Sequence, residues 1–307
     1  MSEDAPIVAT EELSGTAAII RATQNPTRVS KSRHTRVIGP PSFSVVQIFT
    51  GLRALIHYSD LLFVLSAFRL KVRYKQSLLG WVWAILQPLT LMVIYTFIFA
   101  HVTKVNTAGT PYSLFVLSGL LPWIFFSSSI ANAVHGIVAH PSLLTKMYFP
   151  REIIPLSYIA PGIVDFLIGS IILSAMLAHY HVAPTWNLLY AIPMVLILGG
   201  FAAGISLFFS AVHVQFRDVG LALPFILQVW MFATPVVYSV QAIPMRFRQL
   251  YMLDPCSVAI DGFRAVVIYG RPPDLHAIGT AFAITLTGLI LGYTYFKWFE
   301  GAIADVI

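Results

Sequence analysis

A chain of 307 residues with 57% hydrophobic content, only 10% charge and a mean hydropathy of +0.78 does not have the make-up of a soluble protein, which would carry about 25% charge. It reads as an all-α integral membrane protein, because a spanning helix takes roughly 20 mostly apolar residues and this chain has enough for six. The lone Cys256 excludes an internal disulfide and removes the ligands of Cys-based zinc or iron–sulfur sites. A net charge of +6 raises nucleic acid as a partner, but ten of the 19 Lys and Arg residues precede position 76. That placement is positive-inside bias and argues for no nucleic acid.

Residues 1–44 are rich in Ser, Thr and Pro and hold no apolar run of signal-peptide length. They are expected to form a retained, disordered cytoplasmic tail, leaving 45–307 as a six-helix transmembrane domain. Over 60–75, Leu61, Leu65, Phe68 and Leu70 or Val72 fall near one face of a helix. Arg69, Lys71, Arg73 and Lys75 lie on its flanks, where long stems snorkel toward headgroups. This pattern fits an N-terminal amphipathic helix in the cytoplasmic interface; it also fits a plain basic flank that anchors the first span. No Lys, Arg, Asp or Glu occurs between Lys75 and Lys104, which sets the first span at about 79–103. Further spans are expected at about 113–135, 152–180, 187–212, 219–240 and 275–297, separated by polar or Pro-rich segments. With the N-terminus inside, 14 Lys and Arg residues fall in inner segments against five outside, so both termini are expected to be cytoplasmic.

One outer segment is unusual. Residues 241–271 are too polar to span, with Arg246, Arg248, Asp254, Asp261, Arg264 and Arg271, yet Cys256 to Ile260 and Ala265 to Tyr269 are apolar enough to be buried. With Pro244 and Pro255 breaking the segment, it reads as two short re-entrant outer helices before the last span, which need protein or a watery cavity around their backbone. An ordinary outer hairpin is the other reading.

Chemistry of the catalytic kind is thin. A nucleotide-binding loop needs glycines leading to a Lys followed by Ser or Thr; only Lys31 precedes a Ser, and no glycine run leads to it. Asp165 is the one clear acid inside an apolar span, so a paired-carboxylate site has no second member. An intramembrane acid is a functional candidate, although Asp165 can equally bond a neighbouring helix. The nine His residues form no ligand-like cluster, and no metal site or catalytic residue is expected. Aromatic residues reach 13%. Trp83, Gln87 and Tyr95 in the first span, with Gln228, Trp230, Phe232 and Tyr238 in or after the fifth, offer flat rings beside amides and hydroxyls. Sugar rings present apolar faces rimmed by hydroxyls, so these residues suit a sugar pathway; aromatic belts and helix packing explain such residues as well.

Three segments carry a family resemblance: RYKQSLLGWVWAILQPLTLMVIYTFIFAHV at 73–102, SGLLPWIFFSSSIANAV at 118–134 with LLTKMYFPREIIPLSYI at 143–159, and FRDV, TPVVYS and DPCSVAIDGFRAVVIYG at 216–219, 234–239 and 254–270. They resemble the polysaccharide-exporter permeases of the type 2 ATP-binding-cassette superfamily. The resemblance implies a bacterial inner-membrane permease that pairs with itself as a homodimer and with two cytoplasmic ATPase subunits. The pair would export a lipid-linked polysaccharide such as O-antigen, capsule or a teichoic-type chain through a channel. The chain itself would be no enzyme and bind no cofactor, with ATP and Mg on the partner. By position, Lys146, Tyr148, Phe149, Pro150, Arg151 and Glu152 would couple to the ATPase. From the residues alone, Pro150 and Glu152 equally suit a buried helix start. Arg69, Lys71, Arg73 and Lys75 would lie on the interfacial gate helix, and Asp254, Pro255, Asp261 and Arg264 on the outer gate. Where the family commonly has Asn before the Pro at 255, this chain has Asp254. A drug or small-lipid exporter of the same superfamily is the nearest rival. A membrane glycosyltransferase would need acidic or metal-binding motifs, and a secondary transporter would need more intramembrane charge.

Overall fold

Prolines and glycines set where the apolar runs of this chain break into helices. The computed structural model describes residues 53, 55–75, 79–102, 109–139 and 149–306. The expected tail, and Lys146 and Tyr148 of the expected coupling loop, lie outside the described residues. Helix α1 (Ser59–Lys75) comes first. Gly80 turns the chain with φ at +52°, a conformation that a side chain makes costly. Helix α2 (Val82–Thr96) follows and continues as a π-helical stretch, Phe97–Val102.

Helix α3 (Tyr112–Gly136) is apolar on nearly every side from Leu114 to Phe126, and that part is enclosed accordingly. Of its membrane-length stretch 78% is buried in the protein, against 6% for Val82–Ala100. Leu114, Phe115, Leu117, Leu120, Phe125 and Phe126 make it the centre of the core. The apolar run expected as one span over 152–180 forms two helices, α4 (Ile153–Leu156) and α5 (Ile159–His179). Pro161 has no N–H to give to the Ser157 carbonyl, so the helix restarts after a turn at Ser157 and Tyr158.

A 3-10 turn at Trp186–Tyr190 leads into α6 (Ala191–Gln215). Helix α7 (Asp218–Ala233) is shorter than the expected 219–240. Pro235 disfavours helical backbone at the residue before it, and Thr234 is extended, with ψ at 145°. Two short helices follow, α8 (Met245–Met252) and α9 (Pro255–Val267), then the long α10 (Leu275–Val306). Among the described residues there is no strand, and five stretches are long and apolar enough to cross a membrane: Val82–Ala100, Tyr112–Gly136, Ile153–His179, Trp186–Gln215 and Leu275–Glu300. On the fifth expected span, 219–240, stands the shorter apolar helix α7 of 16 residues, roughly 24 Å long against a hydrocarbon core of about 30 Å.

Helices α6 and α10 pack together more extensively than any other described pair, and glycine is the reason. A Cβ on Gly292 would overlap the carbonyl of Gly204, and one on Gly204 would come within 2.9 Å of the Gly288 backbone. Gly288 and Gly292 are four apart on α10, as Gly200 and Gly204 are on α6, the spacing that lets helix backbones approach in a membrane. Gly292→Leu is therefore expected to push these helices apart at a cost of about 1–3 kcal/mol or more. Thermal unfolding in detergent measures it: the midpoint falls clearly below that of the unaltered protein, and an unchanged midpoint contradicts the packing.

Candidate functional site

Among the described residues, three gatherings of charged and polar side chains bear on the expected sites. At the first, α1 lies on α4 and α5. Asp165 is buried on α5, where Arg73 pairs with it at 2.8 Å and the Tyr74 hydroxyl donates to it. One turn earlier on α1, the Arg69 guanidinium lies 4.0 Å over the Tyr158 ring, and its Nε donates to Ser157 Oγ at 3.4 Å. Two of the four basic residues expected to snorkel thus fasten α1 to the turn between α4 and α5 and to α5, while Lys71 and Lys75 are exposed. Phe63, Phe68 and Val72 are exposed as well, so part of the apolar face of α1 is turned outward from the subunit. Tyr74 stacks on Trp81 at 4.2 Å, joining α1 to the start of α2. Beside the ion pair is a cavity of ≈ 200 Å³ whose walls include Arg73, Tyr74, Trp83, Gln87 and Asp165. The sequence pointed to Asp165 as a lone acid; its partners, some ninety positions away, carry no local signal.

The second place is the junction of α7 with α9. Asp254 caps α9, accepting from the backbone N–H groups of Cys256 at 3.2 Å and Ser257 at 3.1 Å, and from Ser257 Oγ at 2.8 Å. A carboxylate does here what an Asn side-chain oxygen does, so Asp in place of Asn keeps the cap. Pro255 occupies the first turn, where its missing N–H costs nothing. Trp230 Nε1 and Thr234 Oγ1 reach the same carboxylate at 3.4 and 3.3 Å, tying α7 to α9. Burial, and then the Asp254 carboxylate, pushes the Cys256 thiol up, which keeps it protonated. Arg264 is 1% exposed. Its NH1 and NH2 donate to the carbonyls of Pro235 at 3.0 Å and Val236 at 2.8 Å, its Nε donates to Ser118 Oγ at 3.4 Å, and its guanidinium lies 3.7 Å over the Phe115 ring. Those two carbonyls belong to the segment just past α7; the open carbonyls of α7 itself, on Phe232 and Ala233, accept from the Tyr238 hydroxyl at 2.9 and 3.3 Å. Gly119 is required, since a Cβ there would strike Arg264. Asp261 borders a second cavity of ≈ 170 Å³ together with Tyr251 and Arg271.

The third place is the start of α4. Phe149 and Pro150 are half-buried, and Phe149 packs beside Ile154 and Phe296 in a small satellite core. Arg151 NH1 donates to the Glu300 carbonyl at 2.6 Å. Glu152 is fully buried, accepting from Lys297 Nζ at 2.8 Å and the Tyr293 hydroxyl at 3.2 Å; Lys297 also pairs with Glu300 at 2.8 Å. The Glu152 carboxylate thus faces α10 inside the subunit, the geometry of a buried helix start. Tyr293, Lys297 and Glu300 were not singled out by sequence; their i, i+4 and i+3 spacing on one face of α10 was the available signal.

The seven residues suited to a sugar pathway separate into two sets. Trp83, Gln87, Gln228 and Phe232 are exposed. Tyr95, Trp230 and Tyr238 are half-buried and engaged: the Tyr95 hydroxyl reaches Met231 Sδ at 3.9 Å, the Trp230 ring packs edge-on against Phe126 at 5.4 Å and Phe201 at 5.9 Å, and the Tyr238 hydroxyl donates to the Phe232 carbonyl at 2.9 Å. Among the described residues no group of three or more His, Cys, Asp or Glu could hold a metal ion.

A model of the ABC-2 type transporter family matches residues 60–268. The chain is 34% identical to an O-antigen export system permease protein RfbA of Klebsiella pneumoniae over 238 residues, 76% of this chain and 90% of the relative. It is 30% identical to a protein of that name from Myxococcus xanthus over 248 residues, 80% and 95% of the two chains. The polysialic acid transport protein KpsM of Escherichia coli is 24% identical over 76% of this chain and 91% of its own length. This chain belongs to the ABC-2 type transporter family.

Proposed function

We propose that this chain is the membrane permease subunit of an ATP-driven exporter that moves a lipid-linked polysaccharide from the cytoplasm across the bacterial inner membrane. Two copies enclose the channel, both termini are cytoplasmic, and two separate cytoplasmic subunits bind ATP and Mg. Its relatives, which this chain covers nearly end to end, are named for O-antigen export and polysialic acid transport. The observation that carries the channel reading is the pair of exposed amides, Gln87 on α2 and Gln228 on α7. Neither side-chain amide hydrogen-bonds to a described residue. Facing lipid, each would leave two donors and an acceptor unsatisfied, at a cost of several kcal/mol. The faces that carry them therefore suit water, a hydroxyl-rich cargo or a second subunit. With Trp83 beside one amide and Phe232 a turn after the other, a sugar chain would meet scattered stacking and hydrogen-bonding sites, each weak enough to release. The outer helices α8 and α9 act as the outer gate, α9 dipping back into the protein behind its Asp254 cap, and α1 acts as the interfacial gate at the other end.

Two outcomes are expected. The purified chain alone hydrolyses no ATP, and hydrolysis appears only with its ATPase subunit; turnover by the chain alone contradicts the division of labour. Cys introduced at 87 or 228 in a Cys256→Ala background reacts with a membrane-impermeant maleimide during export, and the bulky adduct blocks it. If only lipid-soluble maleimides label these positions, the faces look into the bilayer and the channel reading fails.

A further inference from the structure

Three features go beyond that reading: the locked α1 at Asp165, the buried Arg264, and the ion cluster between α4 and α10. The last has a charge arrangement that packing alone does not require. Glu152 is enclosed completely, and burying a carboxylate is costly unless its partners are well placed. Its two partners, Tyr293 and Lys297, come from a single helix that begins 123 residues later in the chain, at Leu275. Arg151, next in line, holds the same helix by the Glu300 carbonyl, and its backbone N–H lies 3.4 Å from Glu300 Oε1. Four α10 bonds thus converge on two consecutive residues at the mouth of α4. Beyond them α10 is locked to α6 through Gly204, Gly288 and Gly292, with backbone against backbone. A displacement applied at residues 149–152 has a stiff path through charges into α10, and through glycine packing into α6.

We infer that Glu152, with Lys297 and Tyr293, is a positioning strut: it transmits the movement imposed at the start of α4 into the last span, so that ATP hydrolysis and export stay coupled. This rests on the exporter reading and deepens it. Glu152 touches neither ATPase nor cargo in this role; it acts through α10. A docking residue and a strut residue lose export in different ways. Loss of docking removes the ATPase subunit from the complex, whereas loss of the strut leaves the complex assembled and hydrolysing ATP to no purpose.

The test uses the chain with its own ATPase subunit, comparing unaltered protein with Glu152→Gln, Lys297→Gln and Tyr293→Phe. ATPase association is read by co-purification, hydrolysis by phosphate release with Mg-ATP, and folding by thermal unfolding. Export is read in intact cells as polymer, labelled metabolically with radioactive glucose, that becomes sensitive to external periodate. For Glu152→Gln the expected result is retained association, hydrolysis within about twofold, and export per ATP lowered about tenfold, the size of a coupling term spread through one packed element. Tyr293→Phe keeps both charges and removes one hydroxyl; about a threefold fall in export per ATP is expected from it. It also serves if Glu152→Gln does not fold. Export per ATP that stays unchanged in a folded, ATPase-bound Glu152→Gln or Tyr293→Phe complex overturns the strut, as does loss of ATPase association from these substitutions. An unaltered chain that recruits no ATPase, or whose complex exposes no polymer, overturns the exporter reading and the strut together.

Discussion

An ion carried into an apolar interior loses its water, and the chain must replace that water with its own groups. Three buried ions of this protein meet that condition by reaching far along the sequence. Asp165 is held by Arg73 and Tyr74, Glu152 by Lys297 and Tyr293, and Arg264 by two carbonyls after α7 and by Ser118 and Phe115 on α3. Each therefore ties together elements that hydrophobic contact would leave free to slide. Breaking such a pair by removing one partner typically costs about 3–5 kcal/mol, because the other partner stays behind unpaired. The ions act less as a source of net stability than as register marks: α1 on α5, α4 on α10, and α9 on both α3 and α7. Apolar side chains in a membrane are poor at fixing register, since lipid is as apolar as they are.

The second constraint is shape. From Leu114 to Phe126 the α3 helix has no outward face, and its neighbours α2, α5, α6 and α9 close around it, while Asn132 and His135 near its end are exposed. Around that centre, α6 and α10 approach closely enough for glycine backbones to touch. By contrast, α2 and the apolar rows of α7, including Leu221, Phe225, Val229 and Phe232, are uncovered. The molecule thus divides into a tightly joined interior and two loosely covered helices. Regions with few buried contacts open and shift most readily. In the proposed exporter these two helices are the walls that the cargo meets, and the joined interior is the frame on which they move.

Much of this was legible in the sequence, because hydropathy and Pro placement are local. The stretches that became α2, α3, α6 and α10 follow from apolar runs between charged or polar breaks, and the helix at 60–75 from its spacing, whereas the inward turn of Arg69 and Arg73 has no local sign. Less legible were the interruptions and the partners. Thr234 and Pro235 end α7 seven residues early, a consequence of one Pro that mean hydropathy overlooks. Glu152 sits in a charged string with Lys146 and Arg151 and reads naturally as surface; only the fold brings Lys297 within 2.8 Å and turns it inward. Trp230 has the composition of a sugar-stacking residue, but its ring found Phe126 and Phe201, and its N–H found Asp254. Gly288 and Gly292 were visible as a spacing, yet glycine contributes little to any hydropathy average, and its meaning appears only when a second backbone arrives.

These two constraints together bear on how such a chain could carry a polymer without binding it tightly. A deep, enclosed site of convergent polar groups holds a ligand and stalls it, whereas separated rings and single amides on an exposed face offer contacts of similar depth at successive positions. In this fold the strong polar groups of the buried interior are turned on the protein itself: the carboxylates of Glu152 and Asp165, the guanidinium of Arg264 and the indole N–H of Trp230 are directed at other described residues of the chain. Past the exposed Asp218 at the start of α7, the groups exposed on α2 and α7 are weak by comparison, among them the faces of Trp83 and Phe232 and the amides of Gln87 and Gln228. A shallow series of sites on movable helices, backed by ions that fix everything behind them, suits passage of a repeating hydroxyl-rich chain: each step exchanges one weak set of contacts for the next, and direction must come from work done elsewhere on the complex.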